Sequence, residues 1–164
     1  MPFLPATATI LPGYPGQIAT VHNYPEARSS TTILLAFEAI PFGSFVMIDT
    51  SIDNATQVKL FDGSFPLVGV AFTPQNYAME SIDSELEYAI GDEVKFTQAM
   101  DIWVRVNPAV VSLAYGSQIQ VNVTTLPGFV DSTGTAVSWF VDSPVVDVGN
   151  NQKIVRAAYR PALS

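Results

Sequence analysis

Apolar residues in this chain come in short runs with a period of two, a pattern that strands satisfy and helices do not. In Asp101 to Val106, Ile102, Val104 and Val106 share one face, with Trp103 and Arg105 on the other. In Gln118 to Val123, Ile119, Val121 and Val123 stand opposite Gln120 and Asn122. Successive side chains of a strand point to opposite faces, so this alternation marks strands with one buried side. Thr31 to Phe37, Ser44 to Asp49, Leu67 to Ala71, Glu93 to Phe96, Ala136 to Phe140 and Ile154 to Tyr159 are further candidates. Gly, Pro, Asn and Asp recur between such runs, as strand boundaries require. Only Gln75 to Tyr88 has helical spacing, with Tyr77, Met79, Ile82 and Leu86 on a common face. Many short strands with turn signals between them predict a mainly β domain, built as a small barrel, a β-tulip-like fold or a sandwich.

One pattern repeats inside the chain. Ala89-Ile90-Gly91-Asp92-Glu93-Val94-Lys95-Phe96 parallels Ala114-Tyr115-Gly116-Ser117-Gln118-Ile119-Gln120-Val121, and Phe42-Gly43-Ser44-Phe45-Val46-Met47-Ile48 is a looser third copy. In each, a glycine precedes an apolar strand, and the expectation is a positive φ at that glycine.

The first thirty residues are different. Pro2, Pro5, Pro12, Pro15 and Pro25 punctuate them, with Gly13 and Gly16 between. Proline fixes φ and removes a donor, so the segment is expected to be neither a helix nor a central strand. It reads as an extended arm, residues 1–30, ahead of a β domain at 31–164. Phe3, Leu4, Ile10, Leu11, Tyr14 and Ile18 make it too apolar for a solvated tail. It lies either along another molecule or on its own domain.

The chain has 164 residues, enough for one domain with a core that needs no disulfide or metal. It has no cysteine, which removes disulfides, thiolate metal sites and cysteine nucleophiles together. Only 13% of residues are charged, against about 25% in ordinary soluble domains. So few charges predict that part of the apolar surface is covered by other copies or by a larger assembly. The net charge of −8 repels phosphate backbones and anionic bilayers, so neither nucleic acid nor membrane is an expected partner. The N-terminal stretch has no Lys or Arg before Arg28 and no continuous apolar core, unlike a secretion signal. No apolar run approaches a membrane-spanning helix. The chain is therefore expected to be made and kept in the cytosol until it assembles.

The reactive residues do not assemble into a catalytic pattern. His22 is the single histidine; it cannot build a multi-histidine metal site, and it reads as a packing residue. There is no nucleophile elbow, no phosphate-binding loop and no dinucleotide fingerprint. Glu80, Asp83, Glu85, Glu87, Asp92 and Glu93 crowd together. They could form a solvated loop, a cation site, a docking surface for a basic partner, or the carboxylate pair of a hydrolase. The solvated loop is preferred, and no cofactor, metal or catalytic residue is assigned. Asn54-Ala55-Thr56 and Asn122-Val123-Thr124 match a glycosylation pattern that has no meaning without secretion.

Interface residues are the better expectation. Lys153, Arg156 and Arg160 cluster near the C-terminus and could meet the acidic segment of a second copy, or simply be solvated. Trp103 lies opposite Ile102, Val104 and Val106, and Trp139-Phe140 puts rings on both faces of one strand. Each tryptophan is either an outward anchor or core filling. The candidate interface set is Tyr14, Ile18, Trp103, Trp139, Arg156 and Arg160.

From Thr31 to Val123 the chain resembles the structural cement, or capsid decoration, proteins of tailed phages. The resemblance rests on Phe42-Gly43-Ser44-Phe45-Val46, on Val68-Gly69-Val70-Ala71 and on Tyr88 to Val94. It continues with the alternating strand Asp101 to Val106 and with Gly116 to Val121, and Tyr14-Pro15-Gly16-Gln17-Ile18 adds to it. It implies a small β-barrel or β-tulip domain on the outer capsid surface. It also implies homotrimers, or sets of copies, whose arms bridge major capsid subunits in the virion. The chain departs from that pattern by a longer C-terminal part, Thr124 to Ser164. A virion surface recognition or fibre-base module that binds carbohydrate is the alternative, and a small hydrolase a more distant one.

Overall fold

The computed structural model describes residues 13–20, 34–51, 57–73, 86–98 and 100–160. Among these there are strands and turns and no α-helix. The strands are β1 (Ile18–Thr20), β2 (Leu35–Ala36), β3 (Ile40–Pro41), β4 (Phe45–Ile48), β5 (Gln57–Leu60), β6 (Leu67–Ala71) and β7 (Glu87–Tyr88). They continue as β8 (Phe96–Thr97), β9 (Asp101–Val106), β10 (Gln118–Val121), β11 (Val130–Asp131), β12 (Thr135–Val141), β13 (Val146–Gly149) and β14 (Gln152–Tyr159). Residues 74–85, most of the segment with helical spacing, lie outside the described residues. Its end, at Glu87 and Tyr88, is the strand β7 paired with β3.

β1 and the strands from β9 onward form a 7-stranded sheet, β2, β5, β4, β6 and β8 a 5-stranded sheet in that order, and β3 and β7 a two-stranded one. In the larger sheet the pairings run in a circuit, β9 to β11 to β10 to β12 to β14 and back to β9, which is the pairing of a barrel. The narrowest link is β9 to β11, a parallel contact at Val130 and Val106. Side chains reinforce it: Asn107 and Asn122 each donate to Asp131 Oδ2 at 2.8 Å. The Asn122 Oδ1 accepts from the backbone of Thr124, Thr125 and Leu126. The residue that matched a glycosylation pattern is thus a 9% exposed structural hub.

Two core clusters lie on either side of β4. Phe45 and Met47 join Ile102, Val104, Ile119, Val121, Trp139 and Val155 in one. Val46 joins Ile40, Phe42, Val58, Tyr88 and Phe96 in the other. The alternation of β4 therefore feeds two cores, and the first cluster draws on both sheets.

β9 departs from its expected half-burial. Ile102, Val104 and Val106 enter the barrel core as expected, yet Trp103 and Arg105 on the other face are 4% and 8% exposed. Gly13 packs against the Trp103 indole and the Arg105 guanidinium lies 5.8 Å from the Phe129 ring centroid, while the turn at Gly16 pairs along the edge of β9. Gly16 N–H donates to the Trp103 carbonyl at 2.8 Å, and Trp103 N–H donates to the Gln17 carbonyl at 2.9 Å. β1 then pairs with the start of β9. Of the two readings of the proline-rich segment, residues 13–20 follow the one in which it packs on its own domain. The rest of residues 1–30 lies outside the described residues.

The three glycines of the internal repeat behave as expected, with φ of +84° at Gly43, +87° at Gly91 and +77° at Gly116. Gly16 (+78°) and Gly128 (+81°) follow the same rule. In all five turns the residue after the glycine donates its N–H to the carbonyl three residues back. Pro15 and Pro127 precede their glycines, which fits a type II turn. Only some of these glycines are also points of close approach. A Cβ on Gly43 would stand 2.9 Å from the Gly16 nitrogen and 2.9 Å from the Trp103 carbonyl oxygen, whereas one on Gly91 or Gly116 meets nothing within 4 Å.

This difference has a measurable consequence. Gly91→Ala should cost only the left-handed backbone term, about 1–2 kcal/mol, or roughly 2–8 °C in Tm for a chain of this size. Gly43→Ala adds a backbone collision and should cost at least twice as much. Thermal unfolding followed by circular dichroism tests this, and equal losses in the two variants would contradict it.

Candidate functional site

The described carboxylates serve the fold. Asp49 is 4% exposed. Lys59 Nζ lies 2.6 Å from its Oδ2, and the Ser51 hydroxyl and amide bond its Oδ1. The Lys59 hydrogen bond, then those of Ser51, hold its pKa down to about 2. Asp62 is lowered by the Ser64 hydroxyl against some burial. At Asp131 burial pushes upward, but hydrogen bonds from Asn107, Asn122 and Ser132 together outweigh it, and the net shift is down. A general acid needs a carboxyl raised toward neutrality, and these three move the other way. Among the described residues no group of three or more His, Cys, Asp or Glu is placed to hold a metal. Burial raises the Tyr88 phenol, which donates to the Phe72 carbonyl at 2.6 Å and ties β7 to the end of β6.

The sequence-derived interface set is divided by the structure. Tyr14 and Ile18 are half-buried in the turn and strand that run along the edge of β9. Neither tryptophan faces outward. Trp103 is 4% exposed and Gly13 packs against its indole, so tightly that a Cβ there would overlap the ring. Trp139 is 3% exposed; its Nε1 donates to the Met100 carbonyl at 3.2 Å, and its ring meets Phe45 and Tyr159 edge-on at 5.4 and 4.9 Å. The outward-anchor reading of both rings is corrected to core filling. Trp139 shares the inward face of β12 with Val137 and Val141, and the opposite face of that strand is open at Ala136 and Ser138, whereas Trp103 is buried because both faces of β9 are covered. Arg156 pairs with Asp142 of its own chain at 2.9 Å. Lys153 donates to the Val110 carbonyl at 2.9 Å. Arg160 is exposed at the end of β14. His22, Glu80, Asp83, Glu85 and Asn54 lie outside the described residues, whereas Asp92 and Glu93 are exposed beside the Gly91 turn.

Sequence reasoning passed over the surfaces that are outward and apolar. The exposed large apolar residues among those described are Leu35 (40%), Phe37 (49%), Ile90 (74%), Val111 (85%) and Tyr115 (76%). They fall into two groups. Leu35, Phe37 and Ile90 lie along β2 and the turn hydrogen-bonded to it, because Gly91 N–H donates to the Ala36 carbonyl at 2.8 Å. Val111 and Tyr115 belong to the β9–β10 loop, where the Tyr115 hydroxyl meets Asp142 Oδ1 at 3.1 Å. The internal repeat carried a signal for two of them. Ile90, Tyr115 and Phe42 occupy the same turn position before glycine, and only Phe42 is turned into the core. An open groove of about 470 Å³ runs between the sheets, lined by Phe61, Leu67, Val68, Val137, Trp139 and Tyr159 among others. Its remaining lining, Gln98, Ala136 and Ser138, supplies no ionisable group.

The family model described as structural cement protein (E217 gp24/Pam3 gp6) matches residues 6–160 of the chain. No curated protein matches it.

The Asp49 pair predicts an acid response. A carboxyl held near pH 2, against an ordinary value of 3.8, contributes stability that is full above its unfolded pKa and is lost as the pH falls through about 2. Asp49→Asn should lower the Tm at pH 7. Its Tm should also fall less than that of the native chain between about pH 5 and pH 2. Parallel pH profiles for the two proteins in calorimetry would contradict this.

Proposed function

The chain belongs to the phage structural cement protein family, and from that membership we propose that it sits on the outer capsid surface and holds neighbouring major capsid subunits together, as a homotrimer. The family points to a structural, non-enzymatic role, to capsid proteins as partners and to the virion capsid as location. Bridging, the trimer, synthesis in the host cytoplasm and the absence of nucleic-acid contact are the parts that this proposal adds.

The observation that carries the proposal is the anchorage of the N-terminal segment. Thr73 N–H donates to the Gly16 carbonyl at 3.0 Å and Thr73 Oγ1 to the Pro15 carbonyl at 3.0 Å, while Gly16 and Gln17 are tied to Trp103. The segment is thereby fixed at Thr73, two residues past the end of β6, and to the barrel at β9. A pull on the residues ahead of it is delivered to hydrogen bonds at both places. A bridging element needs such a root. A cement protein stabilises the shell by binding the assembled state and not the free subunits, and many copies on one lattice gain avidity from modest single contacts. The carbohydrate-recognition alternative relied on outward tryptophan platforms, and Trp103 and Trp139 provide none.

The test is addition of the purified full chain to expanded shells of the phage that carries it. Saturable binding and a raised shell disruption temperature are expected. The proposal fails if the chain leaves shells unbound and equally heat-sensitive at saturating concentration.

A further inference from the structure

The two exposed apolar groups differ in charge, and the difference identifies what one of them meets. Leu35 on β2 and Phe37 in the bend just after it flank the buried Ala36, both are exposed, and Phe37 N–H donates to the Val58 carbonyl at 3.0 Å. Ala36 N–H donates to the Asp92 carbonyl at 2.8 Å and Gly91 N–H returns to the Ala36 carbonyl at 2.8 Å, which places the tip of the Ile90 turn alongside. The patch is held rigidly. Asp92 Oδ2 accepts from Ala89 N–H at 2.9 Å, and Val94 N–H donates to the Leu34 carbonyl at 2.8 Å. Lys59 Nζ sits 4.4 Å above the Phe37 ring centroid and is pinned there by Asp49. Aromatic and aliphatic side chains already fixed in place lose little entropy on binding.

The rim of this patch is net acidic. Lys59 is paired with Asp49 and Lys95 with Glu93, which leaves the charges of Asp92 and of Glu38, whose Oε1 accepts from Leu60 N–H, without a cationic partner among the described residues. The Val111 and Tyr115 loop has no such bias, since Arg156 there is neutralised by Asp142. We infer that the Leu35, Phe37 and Ile90 edge is the face that docks on the shell, and that its occupant is a capsid segment with aliphatic side chains flanked by Lys or Arg. This rests on the cement reading. A second copy meeting this edge with its own would set acid against acid on chains of net charge −8, and like-charge juxtaposition across an interface is costly.

Ile90 allows a clean test, because it is 74% exposed at a turn tip and either charge can replace it without disturbing the core. Full-length native chain, Ile90→Asp, Ile90→Lys and Ala109→Lys, at an exposed position of the β9–β10 loop, are titrated onto expanded shells at about 0.05 and about 0.5 M salt. Each variant is first shown to unfold at the native temperature. Both Ile90 variants lose the apolar contact, so the sign of the new charge isolates the rim. Ile90→Lys should bind at least tenfold more weakly than Ile90→Asp at low salt, the gap should narrow at high salt, and Ala109→Lys should bind like the native chain. If the native chain itself does not bind, the cement reading falls and takes this inference with it. If the native chain binds and both Ile90 variants match it, this edge is not the docking face. Equal weakening by both charges overturns the cationic occupant. Self-association in sedimentation that Ile90→Lys abolishes assigns the edge to a second copy and overturns the inference.

Discussion

The structure depends on β9 being a wall with two working faces. Its inner face, Ile102, Val104 and Val106, fills the barrel core, and its backbone closes the barrel through β14 on one side and β11 on the other. Along its edge β9 meets two glycine turns, and on its outer face Gly13 packs against the Trp103 indole. Arg105 N–H donates to the Gly43 carbonyl at 2.9 Å, and Trp103 exchanges hydrogen bonds with Gly16 and Gln17. Gly43 N–H in turn donates to the Ala71 carbonyl at 2.8 Å, at the end of β6. Backbones can approach this closely only where no Cβ intervenes. One junction therefore joins the N-terminal segment, the smaller sheet and the barrel.

That junction also gives physical meaning to sequence fragments that are scattered along the chain. Tyr14-Pro15-Gly16-Gln17-Ile18 and Phe42-Gly43-Ser44 meet at β9, and Val68-Gly69-Val70-Ala71 is tied to the second of them through the Gly43 and Ser44 bonds to Ala71. They are far apart in sequence and adjacent in space. Three of the motifs that carry the resemblance thus meet where the two sheets are joined.

Much of the fold was legible because strand periodicity is local. β6 and β9 fall where the alternation and the apolar runs put them, and β4, β10, β12 and β14 differ only at their ends. The positive φ at Gly43, Gly91 and Gly116 was legible too, since the turn demands it from neighbouring residues alone. β5 and β13 were missed. Val58 is the one fully buried residue of β5, and the burial of β13 alternates only between half-buried and exposed, so neither carries much pattern. The burial of Trp103 was not legible, because what covers the second face of β9 comes from distant segments, and Trp139 was ambiguous because its neighbour Phe140 offers an apolar ring to the opposite face of β12. The outward residues were missed for the converse reason. Ile90, Tyr115 and Phe42 share one local motif, and only tertiary packing turns Phe42 inward.

The most direct measurement of this account is native-state hydrogen exchange at the junction, read at the amides of Gly16, Thr73, Trp103 and Arg105. If β9 and its two glycine turns form one cooperative unit with the barrel, these amides exchange only through global unfolding, with the same free energy as Val104 and Val155. Exchange of Gly16 and Thr73 through a low-energy local opening, with the barrel amides still protected, would contradict it.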